Sequence, residues 1–182
     1  MRKALYILGI LDDSDVTWLG KVGQPRSMPA GTTLIQQGVP VDSVFIVLDG
    51  QLLVQSGNVS IARLSAGEIV GEISFVDSRP PSASVTASVD SRVVSIPKAM
   101  LHAKLESDKG FASRFFLALA TFLADRLRVA DARLGGGEKD LDDDSQNDLD
   151  ELNSEMLENI ALASTRFDML IKGLGADSSE NP

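Results

Sequence analysis

The stretch GEISFVDSRPPSASVTA, Gly71 to Ala87, gathers the side chains best suited to hold a polyhydroxylated anion. Gly71 lets backbone approach a ligand closely. The Glu72 carboxylate can accept a hydrogen bond from a sugar hydroxyl. The N–H groups of Ile73 and Ser74 open a short helix, so they lack intrahelical partners and favour an anion. Arg79 brings a guanidinium, Ser82, Ala83 and Ser84 bring backbone and hydroxyl donors, and Val70 and Val85 can form apolar walls. Pro80 and Pro81 sit among them, and a proline supplies no backbone N–H.

Nothing else in the chain reads as chemistry. Cysteine is absent, which excludes disulfides, thiolate metal sites and a cysteine nucleophile. His102, the single histidine, follows Leu101 on a short helix with no partner visible in sequence, so it reads as structural. Trp18 reads as a packing residue of an N-terminal helix. With no nucleophile–base pair, metal cluster or triphosphate loop, no enzymatic activity is expected.

The net charge of −9 and pI near 4.5 argue against a duplex nucleic-acid partner, whose binding rests on phosphate neutralisation by Lys and Arg. No run approaches the roughly 20 apolar residues that span a bilayer. MRKALYILGILDD pairs basic residues with a short apolar run but ends at Asp12-Asp13 without a cleavage site. It reads as a packed helix rather than a signal peptide, and a cytoplasmic location is expected.

These residues need elements to position them. DSDVTWLGKV, residues 13 to 22, reads as a helix capped at Asp13 or Ser14. From Met28 to Ile96 come short Val- and Ile-rich runs separated by turn residues, the pattern of a barrel, jelly roll or sandwich. Hairpins are expected at Asp49-Gly50, at Ser56-Gly57-Asn58 and at Asp90-Ser91. After Pro97 the period becomes helical: a short helix over KAMLHAKL, then a long one capped near Ser107 with Phe115, Leu119, Phe122, Leu123 and Leu127 in a stripe. Gly135 to Gly137 end it.

An acidic linker, EKDLDDDSQND, follows. Asp140, Asp142, Asp144, Asp148 and Glu151 occupy positions 1, 3, 5, 9 and 12 of a calcium loop, but Ser145 replaces the glycine of the sharp turn. A solvated tether is the expectation. The last helix, near residues 147 to 172, carries Leu149, Leu152, Met156, Ile160, Ala163, Phe167 and Leu170 as a seam that needs a partner. Packing onto its own domain and pairing with a second chain both satisfy it.

The segments MPAGTTLIQQGVPVDSVFIVLDGQLLVQ and LSAGEIVGEISFVDSRPPSASVTA, followed by an Ala- and Leu-rich helix, resemble a cyclic-nucleotide-binding domain. The resemblance covers about residues 5 to 134 and rests on Gly31, Gly38, Gly50, Gly67 and Gly71 with Glu72 following. It implies an α+β fold: an eight-stranded antiparallel β-roll, jelly-roll-like, with flanking N- and C-terminal helices. It divides the chain into this domain (1–134), an acidic Gly/Asp linker (135–146) and a C-terminal helix and tail (147–182). The resemblance also implies a ligand, cAMP or cGMP, with the Glu72 carboxylate on the ribose 2′-hydroxyl and Gly71, Ile73, Ser74, Ser82, Ala83, Ser84 and Val85 around it.

The family's phosphate-binding arginine falls at Pro81. Either Arg79 swings in as a substitute, or the site no longer holds a cyclic phosphate well. Two functions follow from the sequence. One is a regulatory sensor signalling through its C-terminal helices. The other is a protein-interaction or homodimerisation module acting through helices 108–134 and 147–172, with the pocket vacant or holding another ligand. A transcription factor is disfavoured, because no helix-turn-helix pattern or basic recognition face follows the long helix.

Overall fold

The computed structural model describes residues 5–135 and 154–176. Helices α1 (Leu5–Ile10) and α2 (Asp13–Val22) lead into strands β1 (Gln24–Met28), β2 (Thr33–Ile35), β3 (Ser43–Asp49), β4 (Gln51–Ser56), β5 (Val59–Ser65) and β6 (Ile69–Val70). The one-turn helix α3 (Ile73–Val76) precedes β7 (Ser84–Ala87) and β8 (Ser91–Pro97). Helices α4 (Lys98–Ser107), α5 (Lys109–Gly135) and α6 (Ser154–Ala176) follow. The strands form two four-stranded antiparallel sheets, ordered β1-β8-β3-β6 and β2-β7-β4-β5. This is the eight-stranded roll with flanking helices that the sequence implied.

Strand β3 shows why the chain folds in layers. Its five consecutive residues Val44 to Leu48 are all buried, as in a strand covered on both faces. Alternation assigns them to two cores. Phe45 and Val47 point between the sheets, beside Leu52, Leu64, Val70, Val85 and Val93. Val44, Ile46 and Leu48 point outward, where Leu8, Leu19, Phe111, Phe115 and Leu119 of the helices cover them. The sheet containing β3 is therefore a wall shared by a strand core and a helical core.

Two of the three expected hairpins are something else. Gly57 does join the paired strands β4 and β5. Asp49-Gly50, however, links strands of opposite sheets, as does Asp90-Ser91. A type I′ hairpin needs positive φ at both central residues, and here Gly50 (φ +87°) has it while Asp49 does not. The two corners instead pack on each other: Gln51 N donates to Ser91 Oγ at 3.1 Å, and Ala30 N donates to Asp90 Oδ1 at 2.9 Å.

Helix starts also shift by one residue. Asp12, not Asp13 or Ser14, caps α2: its side chain accepts from Asp15 N, while Asp15 accepts from Asp12 N. Likewise Asp108, not Ser107, opens α5, accepting from Phe111 N at 2.9 Å. Arg114 of α5 forks onto Asp15 at 2.6 and 3.0 Å, binding α5 to the buried start of α2.

The final helix packs back on its own chain. Ala163, Leu170 and Leu174 are buried in the helical core. Arg166 donates to the carbonyls of Leu8 and Gly9 and pairs with Asp13 at 2.8 Å. The acidic linker, the candidate calcium residues and the seam positions Leu149 and Leu152 lie outside the described residues. Among the described residues no helix is long and apolar enough to cross a membrane, and no cluster of ligating side chains is suited to a metal.

At Gly50 an added Cβ would lie 2.6 Å from Asp90 O and 2.7 Å from Ser91 Cα, in a backbone conformation that L residues avoid. Gly50→Ala is expected to cost about 1–3 kcal/mol. Urea denaturation checks this through a lowered midpoint with an unchanged slope.

Candidate functional site

Between the Gly71 turn and the strands facing it lies a hollow of about 70 Å³. Its apolar walls are Ile35, Val54, Val70 and Val85, contributed mainly by the strand core. Gly71 forms the turn at φ +88°, where a Cβ would come within 3.0 Å of Ser43 O. That tightness sets Glu72 at the base of α3, where its carbonyl accepts from Phe75 N and Val76 N.

Glu72 is only 2% exposed. A carboxylate so deep in apolar surroundings needs a partner, and one comes from a distant element. Arg126 of α5 donates from Nη1 to Glu72 Oε1 at 2.6 Å, across 54 residues of sequence. Its guanidinium also lies 5.2 Å from the centroid of the Phe122 ring. Burial pushes the Glu72 carboxyl up from its usual 4.5; the Arg126 charge and the backbone N–H groups of Glu72 and Ile73 pull it down without cancelling the effect of burial.

The sequence-predicted residues separate into two groups. Gly71, Glu72, Ile73, Ser74, Ser82, Ala83 and Val85 line the hollow. Arg79 and Ser84 do not. Arg79 is exposed in the loop after α3. There its N–H donates to Asp77 Oδ1, Ser78 adopts φ +57°, and Pro80-Pro81 follow, so the loop carries Arg79 outward. Of the two readings the sequence left open for Arg79, the structure does not have the one in which it swings into the site. Ser84 turns its hydroxyl to Gln37 N at 3.0 Å. Pro81 lines the hollow, and its carbonyl accepts from Gly38 N at 2.8 Å.

Sequence reasoning missed Arg126. The signal was present: it stands four residues after Phe122, seven after Leu119 and eleven after Phe115, so it continues the buried face of α5. A lone charge on an apolar stripe calls for a buried counter-charge. His102, read as structural, stacks its ring on Phe75 of α3 at 4.6 Å, and Phe75 meets Phe115 of α5 at 5.9 Å. Trp18 packs edge-on against Phe111.

Residues 25–108 match the family model of the cyclic nucleotide-binding domain. The chain is 31% identical over 113 residues to the Pycsar effector protein XpPycTIR of Xanthomonas perforans, covering 62% of this chain and 37% of that protein. It is 31% identical over 67 residues to a cAMP-dependent protein kinase regulatory subunit of Aspergillus fumigatus, covering 36% of this chain and 16% of that one. Both relatives are thus much longer than the part matched here. A cyclic nucleotide-binding domain from Methylobacillus flagellatus shares the fold with a TM-score of 0.66 at 24% identity, over 76% of this chain and 85% of that one.

Because burial raises the Glu72 pKa, the folded chain holds that proton more tightly than the unfolded chain. The contribution of Glu72 to stability is therefore greatest below the usual 4.5 and declines as pH rises toward the folded value. Glu72→Gln abolishes this titration. The melting temperature of the variant, relative to wild type, is expected to rise as pH goes from about 4.5 to about 8. A difference that stays flat with pH in thermal denaturation refutes the burial effect.

Proposed function

We propose, from the premise that residues 25–108 belong to the cyclic nucleotide-binding domain family, that this chain is a non-catalytic regulatory module sensing cAMP or cGMP. One observation carries the reading. The buried Glu72 sits at the wall of a hollow beside a glycine turn, and its partner Arg126 belongs to the long helix α5. A sugar hydroxyl donating to Glu72 binds the same carboxylate that Arg126 holds through Oε1, so occupancy of the hollow and the position of α5 become linked.

A second route runs through α3. Phe75 is wedged between His102 of α4 and Phe115 of α5, so a shift of the Gly71–Ser74 turn moves rings on both helices. In this reading Gly71, Glu72, Ile73, Ser74, Ser82, Ala83 and Val85 contact the ligand, and the module works in the cytoplasm. Titration calorimetry with cAMP and cGMP tests it. Micromolar binding is expected, weakened roughly 10- to 150-fold by Glu72→Ala, the range for losing a hydrogen bond to a charged group. Silence up to millimolar ligand overturns the reading.

A second reading is a homodimerising interaction module on the same fold. Two observations favour it. The hollow is well below the roughly 300–1,000 Å³ of small-molecule sites, and α5 exposes Phe116, Leu117 and Leu127, the last two by 60% and 62%. Light scattering of the wild type is expected to give a dimer mass that Leu117→Ser with Leu127→Ser returns to monomer. A monomeric wild type rejects it.

A further inference from the structure

The hollow poses a charge problem. Its one carboxylate, Glu72, repels an anionic ligand, and Pro81 fills its rim with a residue that has neither a side-chain charge nor an N–H. Arg79 is directed elsewhere by Asp77 and the prolines. Among the residues lining the hollow, Arg126 is the one cation. Its side chain is 29% exposed while that of Glu72 is 2% exposed, so the guanidinium is the less buried member of the pair, and it lines the hollow.

An arginine carries five N–H donors in a planar fork. The bond to Glu72 uses Nη1. Nε and Nη2 make no hydrogen bond among the described residues, and the cation–π contact over the Phe122 ring at 5.2 Å consumes no donor. Ser82 and Ser74 also line the hollow and add hydroxyls.

We infer that Arg126 is the phosphate-binding residue of this site: a helix-borne guanidinium spanning Glu72 and the ligand's phosphodiester, in place of a cation at the position of Pro81. This rests on the sensor reading above and specifies its ligand as a monoanionic nucleotide phosphodiester with a free sugar hydroxyl. The charges then balance as an acid, a guanidinium and an anion in line. Phosphate recognition depends on α5, because the phosphate contact and the contact that seats α5 are made by one side chain.

The test compares charged and neutral forms of the same ligand, cAMP against adenosine and cGMP against guanosine, by calorimetry. Wild type is expected to prefer the cyclic phosphate by roughly 10- to 150-fold, the range for a charge-assisted hydrogen bond. Arg126→Gln is expected to erase that preference while nucleoside affinity persists. The pair Glu72→Gln/Arg126→Gln, which leaves no unpaired buried acid, keeps the comparison valid if the single variant unfolds, and is expected to show the same loss of preference. Arg79→Gln is expected to change nothing. A preference that survives in both Arg126 variants, or that vanishes with Arg79→Gln, overturns the inference and leaves the sensor reading standing. Wild type that binds neither nucleotide nor nucleoside brings down both.

Discussion

The contact between Glu72 and Arg126 is the constraint on which the arrangement depends. A carboxylate enclosed by valine and isoleucine side chains loses its hydration, and only a close opposite charge or hydrogen-bond donors recover that loss. Removing one partner of a fully buried pair costs about 3–5 kcal/mol; the 29% exposure of Arg126 reduces that figure here. The strand roll thus cannot settle its own central turn. It requires a helix whose sequence lies 54 residues away, and α5 must be held at a depth and rotation that put Arg126 within 2.6 Å.

Other contacts set that depth. Arg114 fixes the beginning of α5 to Asp15, itself part of the reciprocal cap that starts α2. Phe111, Phe115 and Phe122 then fill the space between α5 and the outer face of β3. The shared wall matters here. Val44 and Ile46 face the helices, and their neighbours Phe45 and Val47 face the strand core that encloses the hollow. Displacement on one side is therefore felt on the other through adjacent residues of a single strand.

Much of this was legible in the sequence, for identifiable reasons. The switch from strand to helix period at Pro97 and the Gly71–Glu72 turn both depend on neighbours within a few residues. The sheet partners of β3 and β4 do not. Asp49-Gly50 carries a strong local hairpin signal, yet the chain uses the glycine to cross between sheets, a choice decided by the packing of Asp90 and Ser91 forty residues on. Arg79 was drawn to the site by proximity in sequence, while the arginine that reaches it comes from α5. Long-range charge pairing leaves only a faint trace in a single sequence, here one arginine continuing an aromatic stripe.

The crossing of α2 and α6 differs in kind from these contacts. The Cβ that Gly20 lacks would lie 3.5 Å from the Cα of Gly173, and a Cβ on Gly173 would lie 3.6 Å from the Cα of Gly20. Main chain rests almost on main chain there, with no side-chain layer whose rotamers absorb sliding. Helix α5, by contrast, meets the rest of the molecule through arginine side chains and aromatic rings, so whatever passes between it and the roll is carried by side-chain contacts, whereas α2 and α6 touch through backbone.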